Sequence, residues 1–302
     1  MTDGFIRDIR ARFVNMPLLE NEPMSAHTSF RIGGPARAMA LPRTPEETAE
    51  LVSLLRREGV RTLVMGNGTN LLCDDGPLEL FVVKMDESMA YVRQEGAEGL
   101  RAGAGIPLAR LAQRALEFSL GGLEFAHGIP GTLGGAVCMN AGAYGGEMKD
   151  VVASVLYVDG AGRIREKSGA ALGFAYRRSA FSDTEDVVVE SALTLRAGDS
   201  GEIAAAMRAL SEKRRASQPL EKPSAGSTFK RPESGYAAAL IDQAGLKGFA
   251  IGGAQVSEKH AGFVINRGGA TFDDVIRLME HIRETVYRRS GIELEPEVKI
   301  IR

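Results

Sequence analysis

Two cysteines, Cys73 and Cys138, are all that the 302-residue chain contains, too few for a disulfide framework. They and the four histidines show no close ligand spacing, so no metal site is expected. No stretch approaches the roughly 18 uninterrupted apolar residues of a membrane-spanning helix. Residues 1–26 carry charges throughout and lack the apolar run of a secretory signal. The formal net charge is only -2, which gives no reason to expect nucleic acid or an anionic membrane surface as a partner. Internal repeats and low-complexity tracts are missing as well. A hydrophobic content of 44% and a charged content of 25% leave a soluble globular protein with a sizeable core, and a cytoplasmic enzyme fits. Its length allows two or three domains.

What the chain does have is concentrated glycine. Gly128-Ile129-Pro130-Gly131-Thr132-Leu133-Gly134-Gly135-Ala136 is followed by Met139-Asn140-Ala141-Gly142-Ala143-Tyr144-Gly145. Glycine has no Cβ, so its backbone can turn with positive φ or lie directly against a flat ligand. Such a run points to main chain wrapped around a large cofactor.

Along the chain, short strands alternate with well-signalled helices. Thr44 caps a helix with Pro45 in its first turn and Glu47 closing a capping box; Leu51, Val52, Leu54 and Leu55 form its apolar face, and Gly59 ends it. Strands are expected at 62–65 and 80–84, and an amphipathic helix over 107–118. Residues 152–195 read as mainly β, with Val187-Val188-Val189 the clearest buried strand. A polar, helix-favouring stretch covers 202–215, a strong helix runs near 272–289, and a strand lies around 298–301. The expected linker is near residue 200.

Gly66-Asn67-Gly68-Thr69-Asn70 follows a strand, where a tight turn would present N–H groups to a phosphate. It is not a GxGxxG dinucleotide fingerprint, and alone it fits an ordinary turn as well as a ligand loop. Beside the second glycine cluster, the ligand reading gains ground: two such loops suit a long dinucleotide such as FAD. Ser227 lies in Ala225-Gly226-Ser227-Thr228-Phe229-Lys230-Arg231-Pro232, where a serine is ordinarily a solvated loop residue or a cap. No Gly-x-Ser-x-Gly elbow surrounds it, which disfavours a serine hydrolase. Tyr176-Arg177-Arg178-Ser179-Ala180-Phe181 and Leu294-Glu295-Pro296-Glu297-Val298-Lys299 each read, in isolation, as charged surface.

In order, however, these segments resemble the UDP-N-acetylenolpyruvoylglucosamine reductases, flavoenzymes of peptidoglycan precursor synthesis. The matching stretches begin with His27-Thr28-Ser29-Phe30-Arg31-Ile32-Gly33-Gly34-Pro35-Ala36, the 66–72 loop and Gly128 to Gly146. They continue through Tyr176-Arg177-Arg178-Ser179 with Phe181, Gln218-Pro219-Leu220, Ser224 to Pro232, Leu246-Lys247-Gly248, Ser257 to Asn266 and Leu294 to Lys299. The resemblance covers the chain from about residue 20 to its end. It implies an α+β fold: a PCMH or vanillyl-alcohol-oxidase-type FAD-binding domain over 20–200, with subdomains 20–85 and 86–200. A C-terminal α+β substrate-binding domain would follow over 201–302. Arg177 and Ser227 stand only 50 positions apart, which resembles the shorter subtype lacking a substrate-contacting tyrosine loop.

The resemblance further implies non-covalent FAD, NADPH as hydride donor, and UDP-N-acetylglucosamine enolpyruvate as the small-molecule substrate; a monomer is expected. The enolpyruvyl double bond is electron-rich, so hydride adds at C3 only if charge is drawn into the adjacent carboxylate. Fixed electrostatic stabilisation usually contributes most to catalysis of this kind. By resemblance Arg177 pairs with that carboxylate, its planar fork being suited to it, and Ser227 delivers the proton to C2. Glu297 completes the set. Ionised, it would repel the substrate carboxylate, so it is expected to carry a proton in the reactive complex or to orient a neighbouring donor.

Gly66, Asn67, Gly68, Thr69, Asn70, Leu71, Gly131, Thr132, Gly135, Asn140, Ala141 and Arg215 would hold the cofactor. Tyr176, Gln218, Arg231 and His260 would contact substrate. Two departures stand out. Arg231 replaces a frequent Asn, and Asn67 replaces the middle glycine of a Gly-Gly-Gly turn, where Asn tolerates left-handed φ. His127 is expected to pack beside FAD. Two rivals are an FAD-linked oxidase of the same fold using O2, and a non-catalytic nucleotide-binding protein; the ordered Arg177, Ser227 and Glu297 motifs disfavour both.

Overall fold

The computed structural model describes residues 2–302 and forms two compact units, each assembled from separated stretches of chain. The first comprises Met1–Glu20, Ala38–Asn67 and Glu79–Lys213; the second, Asn21–Arg37, Gly68–Leu78 and Arg214–Arg302.

In the first unit, α1 (Asp3–Arg12) is followed by α2 (Pro45–Arg57). Thr44 caps α2 as expected, its Oγ1 accepting from Glu47 N at 3.1 Å. The reciprocal arm of the box lands one residue earlier, with Arg43 N donating to Glu47 Oε2 at 2.6 Å. Leu51, Val52 and Leu55 are buried, and Gly59 leaves the helix with φ 61°. Strand Thr62–Met65 pairs parallel to Leu78–Lys84, as the edge pair of a four-stranded sheet. The larger sheet is antiparallel and five-stranded, in the order 164–168, 152–158, 187–194, 99–103, 92–95. Val187, Val188 and Val189 are buried on it, with α4 (Leu133–Cys138) packed against that strand. Earlier in sequence, α3 (Leu108–Glu117) buries Leu108, Leu111, Ala112 and Ala115 at helical spacing. The chain leaves this unit through α5 (Ser200–Ser217), which begins at the expected linker position.

The second unit holds an antiparallel sheet ordered 224–227, 263–266, 254–256, 250–251. α6 (Ala237–Gln243) packs on α7 (Phe272–Ser290), and α7 packs on the sheet. Thr271 and Asp274 form a capping box at the start of α7, and Gly291, at φ 70°, ends it. Phe272, Val275, Leu278, Met279, Ile282 and Val286 make its buried stripe. Each such side chain contributes about 1.5–3 kcal/mol by leaving water. Phe30, Ile32, Leu72, Phe229, Leu294 and Val298 join the same core. Strand Lys299–Ile301 lies parallel to Leu71–Cys73, so this core is built from both extremes of the sequence.

Candidate active site

In the first unit, the loop after strand Thr62–Met65 lies directly on the glycine-rich segment. A Cβ built on Gly66 would overlap the Thr132 side chain, so only glycine permits this approach. Thr132 is the N-cap residue of α4 yet makes no side-chain cap bond, and its buried Oγ1 has no hydrogen-bond partner in the protein. A buried hydroxyl is seldom left so. On the same turn, a Cβ on Gly135 would meet nothing nearer than Thr132 Oγ1, at 3.9 Å. A buried acceptor or donor beside a face cleared of side chains fits a polar, extended cofactor such as FAD. Leu133 N and Gly134 N, by contrast, are bound to Ile106 O and Ala104 O, both at 2.9 Å, and fix the turn to the loop before α3.

Asn140 and Ala141 follow α4, and the protein itself occupies their polar groups. Ala141 N donates to Ala136 O at 2.8 Å, and its carbonyl accepts from Met148 N at 3.0 Å. Asn140 has φ 43° and is 1% exposed. Its amide nitrogen donates to Glu147 Oε2 at 2.7 Å and to Ala175 O at 3.0 Å. Its Oδ1 accepts from Lys149 N at 2.9 Å. The expectation of a cofactor contact at Asn140 therefore meets an amide already committed to the fold. His127, just before the glycine cluster, stands 3.0 Å from Ser211 Oγ on α5.

Arg177 occupies the tip of a two-residue hairpin. Ala175 and Arg178 exchange backbone hydrogen bonds at 2.9 and 3.1 Å, leaving Tyr176 and Arg177 outside. Arg177 has φ 54°, a conformation that L-residues other than Asn and Asp rarely adopt. Its guanidinium stands 5.4 Å from the Tyr176 ring centroid, and Tyr176 is 54% exposed. Ser179 Oγ and Ser182 Oγ both donate to Cys138 O, at 2.9 and 2.6 Å.

In the second unit, Ser227 is aimed by a β-bulge. Ser224 pairs with Ile265 and Ser227 with Phe263, so three steps on one strand oppose two on the other. Gly226 absorbs the extra residue at φ 75°. Thr228 then locks the strand: its N donates to Gly262 O at 2.8 Å, and its Oγ1 accepts from Val264 N at 3.0 Å. The Glu297 segment lies alongside, with Glu297 N donating to Thr228 O and Lys230 N to Glu295 O, both at 2.8 Å. Ser227 and Glu297, 70 positions apart in sequence, thus come onto neighbouring segments.

The loop read as a phosphate cradle also reaches this region. Asn70 Nδ2 donates to Glu297 O at 3.0 Å, and Asn70 O accepts from Lys299 N at 2.9 Å. Leu71, the next residue, opens the strand parallel to 299–301. Ser29 N donates to Gly68 O at 3.3 Å, and Ser29 Oγ donates to Ser224 O at 2.6 Å. The loop therefore braces the glutamate segment directly and the serine strand through Ser29. In the sequence Ser29 is visible only as part of a matching stretch; its role depends on a partner 195 positions away.

The expected substrate contacts belong mainly to this unit. Gln218 has a buried Oε1 without a hydrogen-bond partner in the protein, a second orphaned acceptor suited to a ligand N–H or O–H. His260 packs edge-on against Phe263 at 4.9 Å and accepts from Gly262 N at 3.2 Å. Burial holds its imidazole below the ordinary value, favouring the neutral ring. Arg231 stacks over Tyr236, 4.1 Å from the ring centroid. Arg215 is exposed on the last turn of α5, its carbonyl taking a hydrogen bond from Lys259 Nζ at 2.6 Å. Tyr176 lies in the first unit. Among the described residues, no group of three His, Cys, Asp or Glu is placed to hold a metal ion.

Two family models match the chain. Residues 36–168 match an FAD binding domain, and residues 218–301 match the UDP-N-acetylenolpyruvoylglucosamine reductase C-terminal domain. A UDP-N-acetylenolpyruvoylglucosamine reductase of Caldanaerobacter subterraneus is 49% identical over 93% of this chain and 92% of its own length. One from Heliobacterium modesticaldum is 44% identical over 98% of this chain and 92% of its own. The crystal structure of the reductase from Thermus caldophilus superposes with a TM-score of 0.80 at 32% identity, covering 95% of this chain and 99% of that one. An alkyldihydroxyacetonephosphate synthase shares the fold alone, with a TM-score of 0.51 and 19% identity over 65% of this chain and 41% of its own.

Proposed function

Because the chain belongs to the UDP-N-acetylenolpyruvoylglucosamine reductase family, we propose that it reduces UDP-N-acetylglucosamine enolpyruvate to UDP-N-acetylmuramate, with NADPH as hydride donor, in peptidoglycan precursor synthesis. Bound FAD supplies the two-electron carrier between NADPH and the enolpyruvyl carbon. Gly66, Thr132 and Gly135 are the residues of the first unit suited to hold it. Asn67 joins them on the first loop, and Gly68 to Leu71 continue that loop in the second unit.

The remaining chemistry belongs to the chain's own side chains. Arg177 draws negative charge into the substrate carboxylate through paired N–H donors. That makes C3 electrophilic and turns the developing charge into an enolate that Arg177 stabilises. Ser227 gives its hydroxyl proton to C2. A serine is a weak acid in water, but an enolate carbon is strongly basic and the bulge fixes the donor before reaction. Its proton is then replaced from solvent. Glu297 orients the donor side of this exchange. Gln218, His260 and Arg231 bind the UDP-sugar, and Arg215 approaches the cofactor. The observation that supports this reading is the hydrogen bond from Glu297 N to Thr228 O, which pairs the segment bearing Glu297 with the strand bearing Ser227.

The protein is further read as a cytoplasmic monomer. No helix among the described residues is long and apolar enough to cross a membrane. An anaerobic titration tests the activity: a yellow protein should bleach with NADPH and recover its colour only with the enolpyruvyl sugar. Recovery with air alone would indicate an oxidase, and a protein without flavin would overturn the cofactor assignment. Denaturation should release free FAD.

A further inference from the structure

Arg177 sits in a conformation that its own side chain disfavours, at φ 54°, so something must hold the hairpin there. Ala175, two residues before it, has its carbonyl bound by Asn140 Nδ2 at 3.0 Å. Ser179, two residues after it, donates to Cys138 O at 2.9 Å, and Ser182 adds a second donor at 2.6 Å. Both ends of the hairpin are therefore fastened to one three-residue segment, 138–140, where α4 ends. The other end of α4 carries the turn with the orphaned Thr132 hydroxyl. Asn140 is itself fixed, by Glu147 at 2.7 Å and Lys149 N at 2.9 Å. Its amide has no rotational slack: both donor directions and the acceptor are used.

We propose that Asn140 is a positioning residue for Arg177, holding the arginine hairpin in its left-handed turn so that the guanidinium is pre-set for a carboxylate. The inference rests on the reading of Arg177 as the carboxylate-binding group. Asparagine suits the post. It tolerates its own φ of 43°, and only an amide can donate to Ala175 O and Glu147 while accepting from Lys149 N. Aspartate has the same shape but no donor, so it would set a carboxylate against a carbonyl and another carboxylate.

Two variants test this. Asn140→Asp keeps the shape and inverts the hydrogen bonding; Asn140→Gly keeps the backbone conformation and deletes the amide. In both, amide hydrogen exchange over residues 175–178 should accelerate at least about tenfold relative to the unmodified protein, with or without flavin. Transfer to the enolpyruvyl substrate should slow by about ten- to a hundredfold, while flavin reduction by NADPH stays within about twofold. On an Arg177→Ala background, Asn140→Asp should cost nothing further in that step. Unchanged exchange at the hairpin, or equal slowing of both half-reactions, would overturn the proposal, and so would full additivity with Arg177→Ala. If the unmodified protein fails to turn over the enolpyruvyl sugar, the functional reading falls, and the exchange measurement still decides whether Asn140 holds the turn.

Discussion

Arg177 and Ser227 each stand where the backbone turns left-handed, and the two units handle that turn differently. In the first unit the candidate residue itself bears the positive φ, and its hairpin is held by side-chain bonds to a segment about forty residues away. In the second, Gly226 takes the left-handed conformation and Ser227 is left in the strand. Support there comes from backbone pairing and from partners 195 to 227 positions distant. A guanidinium needed at the apex of a hairpin leaves no room for glycine at that position, so the strain remains and must be clamped. A hydroxyl needed beside a bulge can delegate the awkward torsion to its neighbour.

The sharpest way to break this comparison is chemical. Ser227→Ala should lower turnover by about two to four orders of magnitude and leave NADPH bleaching of the flavin intact in stopped-flow. Equal loss in both half-reactions would remove Ser227 from proton transfer. Gly226→Ala comes next. A Cβ there meets nothing within 4 Å, so the whole cost is backbone strain, about 1–2 kcal/mol of stability, read from urea unfolding. An unchanged midpoint would mean that the bulge does not depend on glycine.

Arg177→Gly should have the opposite sign. Relief of about 1–2 kcal/mol of left-handed strain exceeds the roughly 0.4–1 kcal/mol of extra unfolded-state entropy. A melting temperature that holds or rises while carboxylate-dependent activity is lost is the expected pairing. A clear fall would show that the turn is unstrained. The smallest effect belongs to His260. Burial lowers its folded-state value below the ordinary 6.5, so between the two values the unfolded chain binds more protons. Stability therefore rises with pH across that window and is fully present above it. His260→Gln should flatten this slope in melts between about pH 5 and about pH 7.5, and an unaltered slope would assign it to other groups.

Much of the fold was legible because its signals are local. The Thr44 cap, the apolar stripes of α3 and α7, and the valine run at 187–189 each state their element within a few residues. The glycine loops read as main chain laid against a cofactor, and at Gly66 the missing Cβ makes room for the Thr132 side chain of the other loop. The clamps on the site were illegible for the complementary reason. Nothing around Asn140 names Ala175 as its partner, and nothing around Ser29 names Ser224. The same limit applies to the units. Residues 21–37 and 68–78 belong with 214–302, whereas any reading by composition divides a chain only into consecutive pieces.

That interleaving bears on how the protein is made. The strand Leu71–Cys73 emerges from the ribosome long before its partner Lys299–Ile301. At roughly 5–20 residues per second the wait is on the order of ten seconds or more. By then every segment of the first unit has been synthesised, and that unit can fold before the second is complete. The strand bearing Ser227 and the segment bearing Glu297 pair only at the close of translation, long after the glycine-rich turn of the first unit has been made.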